Sequence, residues 1–134
     1  MASEPILIVD DNPQNLKLAK VILCAEGYEV RTAIDAEDAL SVLRAFTPRL
    51  ILVDIQLPGM DGLELTRQLK ADPARRDIVI IAVTSYAMKG DDQKAFAAGC
   101  DGYMSKPIDI DALPRVVAEH LARIDAARGA PRPR

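Results

Sequence analysis

Apolar residues along this chain gather into five short runs: "ILIV" (6–9), "YEVRTA" (28–33), "LILV" (50–53), "IVIIAV" (78–83) and "GYMS" (102–105). Three of these are continuous rather than alternating, as expected of strands covered on both faces of a parallel sheet. The intervening segments carry helical spacing. Leu18, Ile22 and Ala25 share one face, as do Ala36, Ala39, Leu40 and Leu43; Leu113, Val116, Val117, Leu121 and Ile124 form the clearest stripe. Asn12 before Pro13 reads as a cap followed by the first helical residue, and Gly27 and Gly99 stand just past helix ends. The helix expected over 87–98 is the weakest. It has a glycine inside and few large apolar side chains, so it should be loosely anchored. Five strand-then-helix units predict an α/β fold: an open parallel sheet with five helices distributed over both faces by right-handed crossovers.

Composition narrows the class. A chain of 134 residues can bury one core without metals or crosslinks, and we assign residues 1–127 to one domain. The stretch 128–134, "RGAPRPR", has no apolar periodicity and reads as a basic, disordered tail or the start of a linker. A net charge of −3 argues against nucleic acid as a partner. No apolar run approaches the roughly 20 residues of a membrane helix, and the N-terminus lacks an export signal, so a cytoplasmic protein is expected. Cys24 and Cys100 form no disulfide framework and read as two packed thiols in a reducing compartment. His120, without a second histidine, reads as a surface residue flanking the last stripe.

Ligands of open parallel sheets bind at the carboxyl ends of the strands. Here those ends carry Asp10 and Asp11 after the first run, Asp54 after the third, Thr84 after the fourth and Lys106 after the fifth. A single strand-terminal aspartate is usually a turn or cap residue; the convergence of several is informative. Two carboxylates about 4 Å apart repel by roughly 4 kcal/mol at an effective dielectric near 20. That is a large part of a stability of about 5–15 kcal/mol. Lys106 offsets one charge of three. Oxygen donors without His or Cys point to a hard cation, and two or three carboxylates completed by water suit Mg²⁺. Such a cation ordinarily awaits phosphate oxygens. Lys106 and Thr84 suit a phosphoryl guest, and Asp54 is placed to act as a nucleophile.

"ILIVDDN", "LILVDIQLPGMDGLEL", "IIAVTSYAM" and "AAGCDGYMSKPI" resemble the receiver domain of two-component response regulators, and the resemblance covers about residues 4–124. It implies a doubly wound, flavodoxin-like sheet of order 2-1-3-4-5. It also implies phosphorylation of Asp54 by a phosphohistidine on a histidine kinase or histidine phosphotransfer protein. Asp10 and Asp11 would bind Mg²⁺ with Asp54 and the backbone carbonyl of Gln56. Thr84 and Tyr103 would be the switch hydroxyl and switch aromatic, Lys106 the phosphate-pairing lysine, and the Lys106-Pro107 bond cis. Gln56 and Tyr86 occupy positions that tune loss of the phosphoryl group. Output would pass through the fourth helix, fifth strand and fifth helix to a downstream protein, from a monomer or weak dimer. The chain most resembles stand-alone receivers, and its chemistry would be self-phosphotransfer and autodephosphorylation rather than conventional enzymology. Pro58 and Gly59 read as a turn, and Asp61 as the cap of the next helix.

Two other classes share parts of this pattern. Phosphohydrolases with a strand-end aspartate usually carry a second aspartate two positions on, where this chain has Gln56. A nucleotide- or flavin-binding module needs a glycine-rich phosphate loop, and "DDNPQN" is acidic and has none.

Overall fold

In the computed structural model, residues 4–84, 90–106 and 109–127 are described, apart from the side chains of residues 91 and 124–127. The apolar runs become β1 (Pro5–Val9), β2 (Glu29–Ala33), β3 (Leu50–Asp54), β4 (Val79–Thr84) and β5 (Gly102–Ser105). They alternate with α1 (Pro13–Ala25), α2 (Ala36–Leu43), α3 (Gly62–Ala71), α4 (Asp91–Ala97) and α5 (Ala112–Ala127). All pairings are parallel, in the order β2-β1-β3-β4-β5. The order reverses between β1 and β3, which opens a crevice at their carboxyl ends.

Continuous strands bury both faces because each pleat feeds a different layer. Leu7, Val9, Ile51, Val53, Ile80 and Ala82 point into a core closed by α2, α3 and α4. Ile6, Ile8, Leu50, Leu52, Val79 and Ile81 point into a second core closed by α1 and α5. Each fully buried Leu, Ile or Val contributes about 1.5–3 kcal/mol relative to exposure, so the central strands anchor whatever projects from their ends. β2, at the edge, is exposed at Glu29 and Arg31 and buried at Val30 and Ala33.

Local signals act where the sequence places them. The Asn12 side chain accepts hydrogen bonds from the N–H groups of Gln14 (2.9 Å) and Asn15 (3.2 Å), and Asp61 Oδ1 accepts from Glu64 N–H at 2.8 Å. Three expectations need correction. Of the row Leu18, Ile22 and Ala25 only Ile22 is buried, together with Leu16, Ala19 and Leu23, whereas Ala25 and Leu18 are exposed and Leu18 lines a groove with Val21, Ile110 and Pro114. Cys24 is exposed, and only Cys100 is buried. Gly90 lies before α4 rather than within it. Its φ of +90° is a left-handed conformation that L side chains resist, so the helix begins only at Asp91.

His120 flanks the α5 stripe, half-buried, with Nδ1 2.9 Å from the Val116 carbonyl and its ring over Gly102. Residues 85–89 (including Tyr86), 107–108 (including Pro107 of the expected cis bond) and 128–134 lie outside the described residues, as does the side chain of Ile124. Among the described residues no helix is long and apolar enough to cross a membrane.

Candidate functional site

The two buried acidic residues at the rim are each held by the turn that follows their own strand. Asp10 follows β1, donates its N–H to the Ala33 carbonyl at 3.0 Å and accepts at Oδ1 from Asn12 N–H at 2.9 Å. Asp11, next in the chain, is exposed. Asp54 ends β3 in register with Val83 and accepts at Oδ1 from Gln56 N–H at 2.9 Å. Thus Asp10 and Asp54 both fold back onto the amide two residues on, which orients one oxygen of each carboxylate. Both are almost fully buried, at 4% and 5% exposure.

Carboxylate oxygens of Asp10, Asp11 and Asp54 all lie within 4.8 Å of one another. Lys106, just past β5, reaches the two buried ones: its Nζ is 2.8 Å from Asp10 Oδ2 and 3.0 Å from Asp54 Oδ2. One ammonium shared by two carboxylates stays protonated. Burial works against its charge, but the hydrogen bonds to Asp10 and Asp54 outweigh that and raise the Lys106 pKa. Asp54 is left under-compensated. Burial raises its carboxyl pKa despite the opposing hydrogen bonds from Lys106 and Gln56 N–H, and the Asp10 charge adds to the rise.

Thr84 closes β4, fully buried, with Oγ1 3.5 Å from Gln56 Oε1. Tyr103 sits in β5 with its ring against the core on the α2–α3–α4 face and its hydroxyl oxygen buried. Asp10, Asp11, Asp54 and Lys106 therefore form one group at the carboxyl end of the sheet; Thr84 ends the neighbouring strand β4, and Tyr103 lies in β5 opposite Ala82.

One contributor carries no sequence signal. Gly62 opens α3, and a Cβ at that position would stand 2.2 Å from the Asp54 carbonyl oxygen. Its N–H donates to the Ile55 carbonyl at 3.0 Å. The start of α3 thus packs against the backbone that carries Asp54, an approach that only glycine permits.

The donor set is all oxygen, with one exposed and two buried carboxylates. That chemistry fits a hard divalent cation that keeps some of its water on the open side. An open parallel α/β sheet with such an acidic rim, a buried hydroxyl and a rim lysine defines a phosphoryl-handling domain. Comparison with known proteins gives the family: residues 6–118 match the response regulator receiver domain, and the chain belongs to that family of phosphoacceptor signalling domains. It is 42% identical over 116 residues to the polar-differentiation response regulator DivK of Brucella anthropi, covering 87% of this chain and 94% of that protein. A CheY-like receiver domain protein of Methanospirillum hungatei superposes with a TM-score of 0.86 at 34% identity, covering 94% of this chain and 99% of that one. A putative response regulator of Chloroflexus aurantiacus gives 0.84 at 30% identity, covering 89% and 98%.

Proposed function

We propose that this chain is a phosphoacceptor switch of a two-component relay, with Asp54 as the acceptor. A carboxylate oxygen of Asp54 attacks the phosphorus of a phosphohistidine on a histidine kinase or phosphotransfer protein. The new O–P bond forms as the P–N bond breaks, and its electron pair stays on the imidazole nitrogen. Asp10, Asp11, Asp54 and the carbonyl of Gln56 would hold Mg²⁺, which when bound supplies positive charge for the crowded oxygens of donor and acceptor. Lys106 pairs with a phosphoryl oxygen once the reaction has consumed the Asp54 charge it held. Thr84 donates its hydroxyl to another. The observation that carries this reading is the shared ammonium: Lys106 bridges the very carboxylate proposed to react and one proposed to bind the cation, at 3.0 and 2.8 Å.

The phosphoryl group adds about −1.5 to −2 charge. Attraction of Thr84 and Lys106 toward it draws on β4 and β5, and the adjoining α4–β5–α5 face changes shape, with Tyr103 following Thr84 inward. Converting a 1:99 population to 99:1 takes about 5.5 kcal/mol, within reach of several charge-assisted hydrogen bonds. The output is docking of a downstream protein to that face, by a cytoplasmic chain that is a monomer or weak dimer. The chemistry is self-phosphotransfer and autodephosphorylation, not turnover of a free substrate.

Incubation with acetyl phosphate and Mg²⁺, followed by mass spectrometry, tests the reading. The expected result is one phosphoryl group per chain, lost with hydroxylamine and absent without Mg²⁺ or in Asp54→Asn. Equal labelling of that variant overturns it.

A further inference from the structure

We infer that the groove between α1 and α5 is a self-association face, on which a second copy of this chain docks in a two-fold arrangement. The docking is separate from the phosphoacceptor reading and uses none of the rim carboxylates.

Hydrophobicity singles out this face. Five large apolar side chains are exposed among the described residues, and three of them, Leu18 (38%), Val21 (59%) and Ile110 (62%), line a single groove of about 700 Å³. Exposed apolar side chains scattered singly are ordinary; gathered into one patch with a polar border they mark a contact surface. Ala25, Pro114 and Ala118 continue the lining. The same two helices reach the core through other residues, Leu16, Ala19 and Leu23 of α1 and Leu113, Val117 and Leu121 of α5. The exposed groove side chains are therefore surplus to the packing of the fold.

The charges on the groove select the occupant. Glu26 caps the end of α1 and Arg115 stands near the start of α5; both are exposed and both line the groove. Each helix leaves the carboxyl end of the sheet and runs back along it, so the two charges lie toward opposite ends. Opposite charges at opposite ends of one apolar strip make a surface complementary to its own image. A two-fold axis crossing the groove between them sets Arg115 against the second copy's Glu26, and Glu26 against its Arg115, with apolar side chains between. Asp111, the third charged lining residue, stands about 6 Å further toward the rim, outside these pairs. A partner charged with one sign gains at one end and loses at the other. The helices have 13 and 16 residues, and side by side, each about 10 Å across and 20 Å long, they present roughly 400 Å² in projection. Specific interfaces bury about 800 Å² per partner, so this dimer is weak, with a Kd on the order of 100 µM.

Sedimentation velocity on the full chain, from about 5 to 500 µM to bracket that Kd, tests this. The average mass should rise with concentration from that of one chain toward that of two. Val21→Glu should raise Kd about tenfold or more. Arg115→Glu and Glu26→Arg should each weaken association about threefold or more, because each sets like charges together in both pairs. An equimolar mixture of those two variants should associate as the wild type does, since every pair in the mixed dimer again joins opposite charges. Recovery in the mixture requires folded chains, so it separates a lost contact from a lost fold. One chain at every concentration overturns the inference and leaves the groove to a different protein. Association that none of the three substitutions weakens overturns it as well, because the dimer then forms through another face. Weakening without recovery in the mixture overturns the pairing of Arg115 with Glu26.

Discussion

Lys106 Nζ stands 3.0 Å from Asp54 Oδ2, so the carboxylate proposed as the acceptor is already paired with a cation. The pairing is incomplete, since the same ammonium serves Asp10 at 2.8 Å. A carboxylate that is buried, only partly neutralised and beside two other acidic groups suits the acceptor role proposed for it.

Removal of that cation should be costly. Lys106→Met leaves two buried carboxylates facing each other, and breaking a buried pair in this way typically costs about 3–5 kcal/mol. The raised Lys106 pKa means the contribution is full below the ordinary lysine value and is lost only as pH climbs through the raised one. Denaturant melts at neutral pH should therefore show the whole loss, and added Mg²⁺ should recover part of it. Wild-type stability in the variant without metal would contradict the charge argument.

Asp54 carries the opposite sign. Its carboxyl pKa is raised by burial first, with Asp10 adding to the rise. The native state therefore binds more protons than the unfolded one between the ordinary and raised values, and stability falls as pH rises through that window. In the metal-free protein Asp54→Asn should melt about 2–8 °C higher than wild type at neutral pH. The difference should shrink toward zero below the ordinary carboxyl range. A gap that widens on acidification would reverse the assignment.

Mg²⁺ should stabilise the chain by mass action, by about 2.7 kcal/mol at a hundredfold excess over Kd. Asp11, exposed and outside the Lys106 bridge, is the proposed ligand whose replacement should least disturb the fold. Asp11→Asn should weaken Mg²⁺ binding in calorimetry by roughly tenfold or more, about 1.4 kcal/mol, with little change in metal-free melting. Equal affinity in the variant would remove Asp11 from the site.

Gly62→Ala separates packing from propensity. Alanine is the better helix former by up to about 1 kcal/mol, yet its Cβ would sit 2.2 Å from the Asp54 carbonyl oxygen. Backbone has to shift, at about 1–3 kcal/mol, and the shift falls on the residue that carries the acceptor. Lower stability together with slower labelling by acetyl phosphate is expected; a more stable protein labelling at the normal rate would show the approach to be harmless.

Much of this molecule is legible along the chain. The runs that become β1, β3 and β4 are continuous because both faces of a central parallel strand are covered, and the strand ends announce Asp10, Asp11, Asp54, Thr84 and Lys106. Family resemblance supplied the strand order, which no periodicity contains. Errors arose where local pattern and tertiary contact part company. Leu18, Ile22 and Ala25 have helical spacing, but only Ile22 meets the core, because the burial of each depends on how α1 is rotated against the sheet. Gly90 falls inside the helical spacing of 87–98 yet marks the helix boundary, because spacing alone does not report a backbone angle.

Apolar period, caps and the kinds of residue at the strand ends are properties of neighbours in sequence, and the chain determines them through propensity and hydrophobicity acting over a few residues. Which distant groups touch is not of that kind. The bridge from Lys106 to Asp10 and Asp54, the seat of Gly62 on the Asp54 carbonyl and the hydrogen bond from Lys70 to Asp101 join residues on different elements. They exist because sheet order and close packing bring those elements within a few ångströms, and only the folded chain decides that.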